Sequence, residues 1–175
     1  MTIARKLAIL VLFALLGMVV MTAWFLVSER KLILEERQTG VRQVVEVAHG
    51  IAVHFHTLST KGAMPDEEAR QRAAAAMQAL RYSGNEYIWI NDMHPRMVMH
   101  PVRPELNGQD LSANKDPNGL PLFMEFVRIV KTQGAGFVPY MWPKAGSDIP
   151  VEKTSYVKGF EPWGWVIGSG VYIDT

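Results

Sequence analysis

A lysine within a strand-like segment is the most informative ionisable residue of the sequence. Lys153 is followed by Thr154, Ser155 and Tyr156, and β-branched and aromatic residues of this kind favour a strand. An ammonium group carries a positive charge and several hydrogen-bond donors, which suit a carboxylate. A lysine that is simply solvated on a strand is the alternative interpretation. We therefore treat Lys153 as a candidate contact for a small organic anion.

Aromatic residues at two-residue spacing accompany this lysine. Tyr87 and Trp89 share one face of a predicted strand, and Tyr140 and Trp142 share one face of another. Their rings can form the walls of an apolar pocket, while the phenol and indole groups donate hydrogen bonds to an anion. Because most strand aromatics only fill a core, we expect at least one of the four not to touch a ligand.

Three further residues give weaker patterns. His100 precedes a proline, and its imidazole either donates to a carboxylate or belongs to the core with its nitrogen satisfied by backbone. Tyr156 is an odd number of residues from Lys153, so it faces away from Lys153 unless a bulge intervenes. Arg103 either clamps the second carboxylate of a diacid or is solvated. The candidate ligand-binding residues are Tyr87, Trp89, His100, Tyr140, Trp142, Lys153 and Tyr156.

Other kinds of site are not indicated by the sequence. The chain has no cysteine, which excludes thiol nucleophiles, disulfides and thiolate metal sites. His54 and His56 diverge by about 200° on a helix and do not share a metal ion. Residues 108–119 lack the ligand spacing of a calcium loop, and turn chemistry accounts for their Asn, Asp and Gly residues. We expect no cofactor, no metal ion and, without a G-x-S-x-G elbow, no enzyme activity.

Composition limits the partners further. The chain has 175 residues, of which 49% are hydrophobic, and this suits one compact domain with an additional segment. Its 18 Lys and Arg residues oppose 17 Asp and Glu residues, which gives a formal net charge of +1. No broad basic surface is therefore available for phosphate contacts, and we expect no nucleic-acid partner.

The additional segment is a candidate membrane anchor. Leu7 to Val27 is free of formal charge, and a helix of this length covers the roughly 30 Å hydrocarbon core of a bilayer. A cleaved signal peptide is the alternative, but its apolar region would be shorter, and Met21 to Ala23 is a poor cleavage site. A slight bias of Lys and Arg predicts a cytoplasmic N-terminus. We expect residues 1–28 to form this N-terminus and span in the inner membrane, and residues 29–175 to form an exported domain.

Periodicity after the span predicts helices followed by a sheet. Residues 29–60 keep a helical period, and their apolar stripe packs either on its own domain or in a homodimer; the sequence leaves both open. Pro65 and the acidic residues after it open a second helix that runs to Tyr82. From Tyr87 the pattern predicts an α+β domain with one antiparallel sheet. The predicted strands are 87–91, 97–100, 137–142, 151–157 and 165–171, with a helix at 120–132 between the second and the third.

A series of longer motifs then adds a family resemblance. They are YIWIND at 87–92, MVMHP at 97–101, GQDLSANKDPNG at 108–119, GAGFVPYMWPKAG at 134–146 and KTSYVKGFEPWGWVIGSGVYID at 153–174. In this order and spacing they resemble the single Cache domain family, the extracytoplasmic PAS-like sensor modules of bacterial chemoreceptors and sensor kinases. The resemblance covers essentially everything after the anchor.

This resemblance implies a function for the pocket. It implies a long N-terminal helix continuous with the span, a five-stranded PAS-like sheet, and recognition of a small organic acid without catalysis. Such a domain signals through its long helix, within a longer receptor or through a membrane partner that supplies the output. An accessory protein that uses the fold as an interaction module is the alternative. Recognition of a cation by the aromatic residues also stays open, although Lys153 in the pocket would oppose it.

Overall fold

The computed structural model describes residues 2–173, with the backbone alone at residues 8, 9, 30 and 31. The chain divides after Arg37 into two compact units. The first unit is helical and belongs to the helix α1 (Ile3–Thr60), which is long and apolar enough to cross a membrane. Its large apolar side chains are exposed in the structure.

The second unit contains one five-stranded antiparallel sheet with helices on both faces. The strand order is β2-β1-β5-β4-β3, and every neighbouring pair is antiparallel. The predicted α+β class and the five strands are confirmed. The remaining elements are α2 (Asp66–Gln78), β1 (Ile88–Asp92), β2 (Met97–Met99), α3 (Leu122–Gln133), β3 (Ala135–Pro143), β4 (Pro150–Phe160) and β5 (Trp165–Tyr172).

Helix α2 ends earlier than the sequence predicts. It begins after Pro65, as expected, but ends at Gln78 rather than at Tyr82. Tyr82 instead exchanges two backbone hydrogen bonds with Glu86, and its hydroxyl lies 2.7 Å from the Ser169 hydroxyl on β5. The two hydrogen bonds with Glu86 satisfy the backbone groups of Tyr82 that a longer helix would have used, and the hydroxyl contact attaches Tyr82 to the sheet.

The apolar stripe of α1 packs on the sheet of its own domain. Val41, Val45, Ala48 and Ala52 are fully buried there. We call this side of the sheet the helix face; α1 and α2 cover it, and it contains Ile88, Ile90, Tyr156, Phe160 and Ile167.

The other side of the sheet lies under α3 and the long loop that precedes it. Alternate residues of β1, β3, β4 and β5 point to this side because side chains in a strand alternate between faces. We call it the pocket face; it contains Trp89, Tyr140, Lys153, Val157 and Val166.

Candidate ligand-binding site

The ammonium group of Lys153 is the centre of the candidate site. The residue lies within β4 and is 1% exposed. Its Nζ is 4.5 Å from the ring centroids of Tyr87 and Tyr172 and 3.4 Å from both hydroxyl oxygens. Aromatic faces attract a cation, so the two tyrosines stabilise the buried charge. Burial lowers the pKa of Lys153 to about 8, so the amine is mostly protonated at neutral pH.

A partly buried carboxylate weakly compensates this charge. Glu86 precedes Tyr87, and its Oε2 is the one buried side-chain nitrogen or oxygen without a hydrogen-bond partner among the described residues. Burial raises the pKa of Glu86, while the positive charges of Lys153 and Lys144 oppose that shift. Within the described part of the chain, no ion pair holds the Lys153 ammonium. The site therefore keeps a positive charge that can attract an anion.

His100 presents a neutral imidazole beside the same tyrosine. Its ring centroid is 4.9 Å from that of Tyr87. Its Nδ1 accepts the backbone N–H groups of Val102 at 3.3 Å and Arg103 at 2.9 Å, so the ring proton is on Nε2. Burial, assisted by the charge of Lys153, lowers the pKa of His100 to about 3. The backbone thus fixes one nitrogen and leaves the other as a donor.

Tyr140 and Trp142 extend from β3 on the pocket face. The Tyr140 hydroxyl lies 2.9 Å from the Ser155 hydroxyl, and burial raises the pKa of Tyr140 well above its usual value. Burial raises the pKa of Tyr87 to about 12, and the neighbouring Trp142 and Tyr172 side chains oppose that shift. Trp142 also packs edge-on against Phe123, with a centroid distance of 6.0 Å. The site consequently combines neutral hydrogen-bonding groups with apolar walls.

Trp89 is a wall residue rather than a donor. Its indole N–H donates to the Asn91 side chain at 3.3 Å. Its ring lies over Gly168 of β5, where an added Cβ would come within 2.4 Å of the ring. Glycine at this position therefore allows the indole to lie directly on the backbone of the sheet.

A small cavity lies between these side chains. Its volume is about 10 Å³, which is room for about one water molecule. Five of the seven residues that the sequence predicts line it. Lys153 is not in its lining, but the Lys153 Nζ lies 4.5 Å from the ring centroid of Tyr87 and 6.0 Å from that of Trp89, both of which line the cavity. The lining residues are Tyr87, Trp89, His100, Leu122, Phe123, Phe126, Tyr140 and Trp142.

The structure places Tyr156 and Arg103 outside this cavity. Tyr156 lies on the helix face, as its odd offset from Lys153 predicts, with its ring 4.9 Å from that of Phe137. The register of β4 is unbroken from Lys153 to Tyr156, so no bulge turns Tyr156 toward the cavity, and we correct the candidate site by removing Tyr156 from it. The Arg103 guanidinium lies 5.7 Å from the ring centroid of Trp142 and pairs with Glu105 at 3.0 Å.

Tyr172, Ser155 and Gly170 belong to the site but were missed from the sequence. Tyr172 pairs with Lys153, and Gly170 pairs with Ser155, across β4 and β5. A Cβ at Gly170 would lie 2.0 Å from Ser155 Oγ and 3.0 Å from Lys153 Cε, so this glycine makes room for both side chains. Strand alternation could have identified Tyr172 once β4 and β5 were paired, because it is the aromatic residue opposite the lysine.

Residues that superficially suggest a metal site have structural contacts. Asp116 accepts three backbone N–H groups, including that of Met141 on β3 at 3.0 Å. This is the turn chemistry that the sequence indicates, and it also attaches the long loop to the sheet. His49 and His56 both pack edge-on against Phe160, with centroid distances of 5.4 and 5.7 Å.

Comparison with known families agrees with this architecture. The sequence profile of the Cache domain matches residues 16–175. The chain belongs to the Cache domain family. This membership confirms the resemblance seen in the motifs, and the matched region includes every residue of the candidate site.

Two curated relatives are signalling proteins. The Cache chain is 42% identical over 174 residues to the methyl-accepting chemotaxis protein McpP of Pseudomonas putida. The alignment covers 99% of this chain and 32% of McpP. The chain is 30% identical over 120 residues to the sensor histidine kinase MctS of Rhizobium johnstonii. That alignment covers 69% of this chain and 26% of MctS. The matches therefore span about a third of the length of McpP and about a quarter of that of MctS.

Two solved structures are similar along most of the chain. A periplasmic sensor domain of a chemotaxis protein has a TM-score of 0.80 and 55% identity, and the match covers 81% of this chain and 98% of that one. A Cache chemosensory domain solved to explain carboxylic acid recognition has a TM-score of 0.79 and 48% identity, with 82% and 98% covered. These relatives are sensor and receptor proteins.

Proposed function

We propose that this protein is an extracytoplasmic sensor domain that binds a small monocarboxylic acid without transforming it. The observation that carries the proposal is a buried Lys153 ammonium beside a cavity lined by tyrosine, tryptophan and neutral histidine. A carboxylate near this ammonium gains a charge-assisted hydrogen bond in a buried site of low dielectric constant. Carboxylic acid recognition by a Cache domain of 48% identity supports the same ligand class.

The size of the cavity favours the smallest acids. A volume of about 10 Å³ is less than a two-carbon acid occupies, so binding requires the lining side chains to move outward. Changes of side-chain rotamer at binding sites are common and need no backbone movement. Arg103 lies outside the cavity, where it pairs with Glu105. We therefore expect acetate, propionate and lactate to bind better than the diacid malate.

The anchor and the location of the domain are part of this proposal. Helix α1 includes the charge-free segment from Leu7 to Val27, and its large apolar residues there are exposed. We infer that this segment spans the inner membrane and that the Cache domain lies outside the cytoplasm. A protease added to spheroplasts should then digest the domain while the protein stays in the membrane pellet after carbonate washing. Protection from the protease, or release by carbonate, would contradict this topology.

Strand β4 offers a route from ligand to helix. Lys153 lies on the pocket face of β4, and Lys158, further along the strand, pairs with Glu46 of α1 on the helix face. A shift of β4 on binding would therefore displace groups that contact α1 directly. Binding energy that favours one of two arrangements of β4 and α1 would carry the signal.

Calorimetry and thermal melting of the full chain in detergent test the proposal. Titration with acetate, propionate, lactate and malate should give saturable heat with at least one monocarboxylate. A stabilisation of about 2.7 kcal/mol is expected when the acid is present at about a hundred times its Kd. A folded protein that none of these acids stabilises would contradict the sensor proposal and favour the interaction-module alternative, which co-purification of a stoichiometric membrane partner would then support.

A further inference from the structure

A second and larger space lies next to the cavity. It is a groove of about 320 Å³ between the loop after β2 and the turn that joins β3 to β4. The groove lining includes Arg103 and Glu105 from the loop, and Lys144 and Asp148 from the turn. A volume of this size falls in the range of small-molecule sites, whereas the cavity of about 10 Å³ is far below it.

One side chain separates the two spaces. Trp142 is the single residue that lines both the cavity and the groove within the described part of the chain. Its ring contacts cavity residues, with centroid distances of 6.2 Å to His100 and 6.3 Å to Tyr140. The same ring has the Arg103 guanidinium of the groove 5.7 Å from its centroid. Trp142 is only 8% exposed, so the indole fills the gap between the two spaces.

We propose that Trp142 limits the chain length of the acid that the cavity accepts. The inference rests on the proposed carboxylate function and adds a specificity-determining residue to it. With the carboxylate near Lys153, the hydrocarbon tail of a longer acid meets the Trp142 indole. Truncation of that side chain joins the cavity to the groove, and each methylene that then leaves water strengthens binding by about fourfold.

The opposite wall is a poorer route for a longer tail. Tyr140 lines both the cavity and another groove, of about 370 Å³. Its hydroxyl is held by Ser155 at 2.9 Å, and the carboxylates of Asp116 and Glu152 line that second groove. Lys153 also lines that second groove, but its two carboxylates outnumber the lysine. In the groove beside Trp142 the cationic Arg103 and Lys144 equal the acidic Glu105 and Asp148 in number, so an anion meets less repulsion there.

A chain-length series tests this role. The full chain and its Trp142→Ala and Trp142→Phe variants would be titrated calorimetrically in detergent with the straight-chain acids from acetate to hexanoate. The measured quantity is the ratio of hexanoate affinity to acetate affinity. We expect this ratio to rise by about tenfold or more in Trp142→Ala. Trp142→Phe, which keeps a ring and packs more conservatively, should show a smaller rise in the same direction and carries the test if the alanine variant does not fold.

A matched tryptophan on the other face provides the control. Trp163 is 6% exposed and belongs to the helix-face core, so Trp163→Phe should lower stability without changing the chain-length ratio. If the parent binds acids but the ratio is unchanged in the folded Trp142 variants, the role of Trp142 is overturned and the carboxylate function stands. If the parent binds no acid of the series, the carboxylate function fails and the inference fails with it.

Discussion

The two faces of the sheet have opposite chemistry although the same strands form them. On the helix face, α1 and α2 bury an almost wholly apolar core that includes Val41, Val45 and Ile167. On the pocket face, α3 and the loop bury a lysine, a histidine and three tyrosine hydroxyl groups. Burial of these polar groups lowers stability unless each finds a partner. The comparison indicates that the helix face supplies stability, while the polar groups buried on the pocket face lower it.

The largest expected effect is the loss of acid affinity when the charge of Lys153 is removed from the pocket face. Lys153→Met keeps the length of the side chain but removes the charge, so acid affinity should fall by about a hundredfold or more. Stability should be equal or higher, because a buried charge without an ion pair is removed. Calorimetry and melting measure both quantities. Lys158→Met on the helix face is the matched control and should keep acid affinity; unchanged affinity in Lys153→Met would remove this lysine from the site.

Substitutions of two glycines test how tightly each is packed, one beneath the Trp89 ring on the pocket face and one in α1. A Cβ at Gly168 would come within 2.4 Å of the Trp89 ring, so Gly168→Ala should lower the free energy of unfolding by about 1–3 kcal/mol. Gly50 in α1 has open space around its Cβ position, and Gly50→Ala should raise stability by about 0.5–1 kcal/mol. Denaturant unfolding compares the two. Equal effects at both positions would show that Trp89 does not lie on β5 as described.

Titration of Lys153 should change the free energies of acid binding and of unfolding by at most about 1.4 kcal/mol per pH unit. Its pKa is lowered to about 8, so acid affinity should be highest below pH 8 and fall by up to about tenfold per unit above it. The folded protein releases this proton near pH 8, while the unfolded chain keeps it to about pH 10.4. Stability contributed by this group therefore rises with pH across that window, and Lys153→Met should lack the rise.

The histidine of the site makes a contrasting prediction for the same titration. The pKa of His100 is lowered to about 3, so its ring stays neutral from pH 5 to pH 8. Acid affinity should therefore show no step near pH 6.5, the usual pKa of histidine. A step there that disappears in His100→Gln would mean that the ring is protonated in the site.

The smallest expected effect concerns the link between the two faces. Lys158 and Glu46 are both partly exposed, so their ion pair should contribute about 0.2–1 kcal/mol in a double-mutant cycle of Lys158→Met and Glu46→Gln. Acid affinity should stay within about twofold in each variant, because the pair lies on the helix face. A loss of affinity as large as that of Lys153→Met would contradict the separation of the faces.

Local sequence patterns predicted the elements and much of the candidate site. The two-residue period placed Tyr87 with Trp89 and Tyr140 with Trp142, and the odd offset placed Tyr156 on the other face, because side chains alternate strictly along a strand. The end of α2 was predicted too late, since the contact of Tyr82 with Ser169 is made with a strand far along the chain.

The sequence by itself determined the element types, the facing of the strand residues and the family, because these depend on period, turn residues and motif order within short segments. Only the tertiary structure decided that Tyr172 stacks on the Lys153 ammonium, that the Trp89 ring lies over Gly168, and that α1 packs its stripe on its own sheet. These outcomes depend on strand register and on which helix covers which face. Register brings together residues distant in sequence, and no local pattern records their distance.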